Sequence, residues 1–108
     1  MVQVLIIDKV GNINHNNITN INELYKKCGF KKIDGFELIN SWIYTDDITI
    51  QLWGRLISKG LIKNGYKFPM PIEKSIYGNC ALVAQNGDYI DLSIEIWDNI
   101  CNKINRLR

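Results

Sequence analysis

Residues 36–57 of the chain read FELINSWIYTDDITIQLWGRLI. Two runs of alternating apolar and polar residues meet there at Asp46-Asp47. Phe36, Leu38, Trp42 and Tyr44 share one face of the first run, and Ile48, Ile50, Leu52 and Leu56 share one face of the second. A period of two marks a strand with one buried face. The stretch therefore predicts a β-hairpin in the middle of a sheet, with the rest of the chain as its cover or extension. The hairpin's second face carries Gln51, Trp53, Arg55 and Ile57, set against Glu37, Ile39, Ser41 and Ile43.

With 108 residues, a single domain spanning 1–108 is expected. Apolar content of 46% and charged content of 22% are ordinary for a globular chain. A net charge of +2 argues for no obligate polyanion partner, yet leaves room for a local basic patch. Ile and Asn are abundant, as an AT-rich genome would supply, and carry no functional weight. Cys28, Cys80 and Cys101 are widely spaced, and His15 is the sole histidine. A zinc site needs clustered thiolates or imidazoles, so no metal and no cofactor is expected. Three reduced, mostly buried thiols suit a cytosolic or nuclear setting. Met1–Ile7 is apolar but lacks a basic leader and a cleavage site, so no signal peptide is expected. No apolar run approaches the ~20 residues that cross a bilayer, so no membrane partner is expected.

Outside the hairpin, Val2–Asp8 predicts a buried strand and Val10-Gly11-Asn12 a turn. Asn12–Asn17 reads as a weak second strand or a loop. Asn20 and Glu23 have the spacing of a capping box. Ile21, Leu24, Tyr25 and Cys28 then form one apolar helix face, stopped by Gly29. Tyr66-Lys67-Phe68-Pro69-Met70-Pro71 must be extended and cannot be an interior strand. It is either a stiff crossover packed on the sheet by Phe68 and Met70 or an exposed docking segment. Asn79–Gln85 is apolar enough for a central strand, and Asn86-Gly87 predicts a type I′ turn into Asp88–Asp91. A final helix over Ser93–Leu107, capped by Asp91 or Ser93, carries an apolar stripe from Ile94 through Trp97 and Ile100. The fold class is α+β: an antiparallel sheet of about four to six strands with two helices covering one face, the C-terminal one packed on the sheet.

No phosphate loop, dinucleotide fingerprint or nucleophile elbow is present. No catalytic residue is expected and the chain reads as no enzyme. A deep pocket holding His15 or a cysteine beside a carboxylate would reopen that class. The candidate binding residues are Lys26, Lys27, Lys31, Lys32, Trp53, Arg55, Tyr66 and Phe68. The four lysines are either a phosphate-binding patch or a solvated face that satisfies a helix end. Trp53 beside Arg55 fits a stacking platform for single strands, a protein hot spot, or a side chain packed under a loop.

One combination carries a resemblance. Leu24-Tyr25-Lys26-Lys27-Cys28-Gly29-Phe30-Lys31-Lys32 runs into Asp34-Gly35-Phe36 and Trp42; Tyr66, Phe68, Pro69, Pro71 and Ile72 follow; then Tyr77-Gly78, Cys80–Val83, and Asp91-Leu92-Ser93 with Trp97. In order and spacing this resembles a family of small uncharacterised proteins of the nucleocytoplasmic large DNA viruses, the giant and algal viruses, over nearly the whole chain. The family brings no catalytic residues with it. Its members often continue into an acidic tail, and the sequence stops at Arg108 before any such tail. The resemblance implies a viral protein of the host cytoplasm or nucleus, or one packed in virions. The leading functional expectation is a binding module that contacts another protein, or a second copy of itself, through a sheet edge and aromatics. The alternative is a nucleic-acid-binding accessory factor in viral replication, transcription or packaging.

Overall fold

The computed structural model describes residues 1–45, 47–72 and 74–106. Strands β1 (Val2–Ile7) and β2 (Ile13–Ile18) precede helix α1 (Glu23–Lys27) and a 3-10 turn at Lys32–Asp34. Strands β3 (Phe36–Thr45) and β4 (Ile48–Arg55) follow, then β5 (Cys80–Asn86), β6 (Asp88–Ile90) and helix α2 (Ile94–Arg106). One antiparallel six-stranded sheet results, ordered β2-β1-β5-β4-β3. β6 pairs with the far half of β5, beyond the residues that pair with β1. The expected α+β class, with its C-terminal helix on the sheet, is what forms.

The centre of the sheet differs from the expectation. β5, not the β3–β4 hairpin, lies in the middle, and β3 is an edge. The reason is burial on both faces: every residue from Cys80 to Ala84 is buried. A strand apolar on both sides needs cover above and below. β1 has the same character from Val4 to Ile7. The two helices accordingly take opposite faces instead of one. Leu5, Ile7, Leu82 and Ile50 pack with Trp97 and Ile100 of α2. Val4, Ile6, Ala81 and Val83 pack with Leu24 of α1 and with Cys28.

A β-bulge corrects the hairpin pattern. Leu38 pairs with Trp53, but Asn40 pairs with Leu52, so β3 holds one extra residue there. An extra residue reverses which way the following side chains point. Phe36 therefore joins the α1 side, while Trp42 and Tyr44 join the α2 side. Arg55 stands opposite Phe36, Gln51 opposite Ser41, and Leu56 lies beyond the end of β4. A second irregularity falls between Ile43 and Thr45. The turn expected at Asp46, and the helix end expected at Leu107 and Arg108, lie outside the described residues.

The segment around His15 is a full strand, since Ile13–Ile18 pairs with β1 along its length. In the β1–β2 turn, Asp8 Oδ1 accepts from the backbone N–H groups of Val10, Gly11 and Asn12. α1 ends as expected: Gly29 has φ 81°, Phe30 N–H donates to Tyr25 O, and Gly29 N–H donates to Lys26 O. Its start differs by one residue, because Glu23 accepts from Thr19 N–H, and Asn20 Oδ1 accepts from Asn22 N–H. Ser93 Oγ caps α2 at Ile96 N–H, while Asp91 accepts from Gln3 N–H and ties β6 to β1. At Asn86-Gly87 only the glycine has positive φ, and Asn86 pairs directly with Asp88. That turn is tighter than type I′.

Residues 56–79 join β4 to β5 across the α2 side, and buried Asn64 fixes them. Its Nδ2 donates to Asp8 O (2.9 Å) and Gly78 O (2.8 Å), and its Oδ1 accepts from Tyr66 N–H (2.8 Å).

Candidate functional site

The predicted binding residues fall into three groups. Lys26 and Lys27 form the last turn of α1, and Lys31 follows its cap; all three are exposed. The Lys32 side chain lies outside the described residues. Trp53 is half-buried on the α1 side. Its indole N–H donates to Gln51 Oε1 (3.1 Å), the Gln51 Nε2 donates to Gln85 Oε1 (2.7 Å), and the Gln85 Nε2 donates to Gly87 O (3.1 Å). A chain of amides across β4 and β5 thus holds the indole in one orientation.

Arg55 does not join Trp53 on an outer surface. It is only 4% exposed, with its guanidinium 5.1 Å from the centre of the Phe30 ring. Phe30 and Tyr25 also pack on Phe36, so this aromatic group closes over the strand. Among the described residues, Arg55 Nε and Nη2 have no hydrogen-bond partner. The shared basic-aromatic surface expected from the sequence is therefore broken at Arg55. Tyr66 and Phe68 turn to the other face, where the crossover reading of their segment holds. Their rings meet edge to face at 4.8 Å, and Phe68 lies 6.5 Å from Trp42.

Two surfaces flank β3. On the α1 side, the short helix covers only part of the sheet, and the outer strands stay bare. Leu38 is 42% exposed there, while Ile43, 80% exposed, borders the groove on the α2 side. Leu38 sits directly across from Trp53. The outer edge of β3 has no strand partner among the described residues. On the α2 side, a groove of about 440 Å³ lies between β3, β4 and α2. Its walls include Trp42, Tyr44, Ile50, Trp97 and Ile100, with Lys103. The rings of Trp42 and Trp97 are 6.3 Å apart, and the Trp97 indole N–H is committed to Tyr66 Oη at 2.7 Å. Lys103 Nζ stands 5.1 Å from the centre of the Tyr44 ring. The sequence reading placed Trp97 in the core but missed the groove. The bulge that sends Trp42 and Tyr44 to the same side as α2 leaves no periodic signal.

The reactive side chains are occupied structurally. His15 Nε2 accepts the Ile94 N–H at 3.1 Å and so helps to cap α2 from β2. Cys28 shares a surface depression of about 410 Å³ with Asp8. Burial pushes the Cys28 thiol from the usual 9.0 to about 12, so it stays protonated at neutral pH. Burial also pushes up Cys80 and Cys101. Asp8 is held below the ordinary carboxyl value, chiefly by the Asn12 N–H. Among the described residues, no group of three or more His, Cys, Asp or Glu side chains converges as a metal site. No described helix is long and apolar enough to cross a membrane. Comparison of the chain with protein-family models, curated proteins and solved structures finds no match in any of the three.

Proposed function

We propose that the chain is a non-enzymatic binding module that makes protein–protein contacts, in the viral setting that the order of its motifs implies. One observation carries the reading. Exposed Leu38 and Ile43 of β3, with half-buried Trp53 across from Leu38, adjoin a strand edge that has no partner among the described residues. Unpaired edges recruit further strands, and oriented tryptophans are favoured anchors at interfaces. The two irregularities in β3 leave only the short stretches Phe36–Leu38 and Asn40–Ile43 in regular register, so side chains carry more of such a contact than backbone pairing. Nucleic-acid binding asks for Arg55 on the same surface as the lysines, and its burial beneath Phe30 favours the protein reading instead.

A second copy of the chain is the partner that a purified sample contains. Light scattering after size exclusion should give about twice the 12.5 kDa chain mass, or affinity capture should retrieve a protein from infected cells. Ile43→Lys should abolish either result without loss of folding. A strict monomer that captures no protein overturns the reading.

A further inference from the structure

The groove on the α2 side has a chemistry of its own. Its volume of about 440 Å³ falls within the ~300–1,000 Å³ of small-molecule sites. Two indoles and the Ile50 and Ile100 side chains line it. Because Tyr66 already takes the Trp97 N–H, that indole offers no free donor to a guest. Met70 and Pro71 border the groove, and a thioether adapts readily to a guest's shape.

Lys103 is the cation that lines this groove. Its ammonium rests over the Tyr44 ring, and no carboxylate among the described residues pairs with it. Arg106 lies one turn further on and is also exposed. The full positive charge of Lys103 outweighs the half negative charge of the helix end. An apolar trough with a positive rim selects a guest that is apolar along its length and anionic at one end.

We propose that this groove binds an amphipathic monocarboxylate, its aliphatic chain lying along Trp42, Tyr44 and Ile104 and its carboxylate meeting the Lys103 ammonium. The site goes beyond the proposed protein contact, although exposed Ile43 borders the groove as well. Cationic amphiphiles are excluded by Lys103, and neutral ones lose the charge-assisted contact.

Sodium decanoate, kept below its micelle concentration, is the probe. Binding is followed by calorimetry and by tryptophan fluorescence in a Trp53→Phe background, where Trp42 is the indole that the guest meets. One saturable site is expected, with affinity rising about fourfold per methylene from hexanoate to decanoate. Lys103→Met should weaken decanoate about fivefold to tenfold, 1-decanol should match that weakened value, and decylamine should bind least. No saturable decanoate binding, equal binding of decylamine, or indifference to Lys103→Met each overturns the proposal. A groove that admits only a peptide segment gives the first of these results. The oligomeric mass of Ile43→Lys is read separately, so failure here is distinct from failure of the protein contact.

Discussion

Arg55 and Asn64 are both buried polar residues, and the structure assigns them opposite energetic signs. Asn64 satisfies two carbonyls with its amide and one N–H with its oxygen. Replacing it strands those groups, and each orphaned buried group costs about 1–3 kcal/mol. Asn64→Leu should therefore lower unfolding free energy by at least about 2 kcal/mol in urea titrations. Arg55 is the reverse case. Its Nε and Nη2 are buried with no described hydrogen-bond partner, so a charge is desolvated for little return beyond the Phe30 ring and a minor attraction to Asp34. Arg55→Met keeps the length and removes the charge. It should be neutral or stabilise by about 1–2 kcal/mol, measured in the same titrations. A loss of about 3 kcal/mol or more in Arg55→Met would show that the guanidinium is paired after all. Neither role was legible in the sequence. Arg55 reads there as an outward residue of an alternating strand, and no local signal marks Asn64 for burial. The path of residues 56–79 over the sheet creates the role of Asn64, and the Phe30 ring closing over Arg55 creates the other.

At the level of elements, the legible parts were those encoded locally. The α1 terminator at Gly29 depends on a handful of neighbouring backbone groups, and the α2 stripe on one helix's own periodicity. The strand run of residues 80–84 announces itself by being apolar throughout. What the sequence hid was set by partners far along the chain. The outer place of the β3–β4 hairpin follows from β5 pairing with both β1 and β4, and the bulge at Leu38–Asn40 follows from register against β4. The start of α2 combines both kinds of information. Ser93 caps locally through Ile96 N–H, whereas His15 reaches Ile94 N–H from a strand 79 residues earlier. Loss of a cap costs about 1 kcal/mol. Ser93→Ala and His15→Ala should each lower stability by about that amount, and thermal unfolding of the two variants will read it. If His15→Ala unfolds like the parent, water replaces the imidazole without cost and β2 is not coupled to α2 through this bond.

For the molecule as a whole, the shifted groups define a pH window. Asp8, Glu23 and Asp34 are held below their ordinary values, mainly by the backbone N–H groups of Asn12, Thr19 and Lys31 respectively. A carboxyl with a depressed folded pKa stabilises above its unfolded value, and that stability is lost as pH falls through the folded value. Acid should therefore weaken the fold below about pH 4, where these carboxylates protonate. The thiols act at the other limit. Cys28 rises from 9.0 to about 12 by burial, and Cys80 rises for the same reason. Their contribution is complete below the unfolded thiol value and is lost as pH climbs through the folded one. The urea midpoint should be level between about pH 5 and 8, then decline on both sides. Replacing Cys28 and Cys80 together by Ala deepens cavities on both faces and lowers the whole curve, but it should flatten the alkaline limb and leave the acid limb intact. The same burial predicts thiol chemistry. In native protein at pH 8, a thiol-specific chromogenic disulfide should leave Cys28 and Cys80 unreacted and modify the half-buried Cys101 slowly, while all three react in denaturant. Rapid native modification of Cys28 would mean that α1 lifts from the sheet on the timescale of the assay, and would place the low-stability end of the molecule at the Cys28–Phe30 cap.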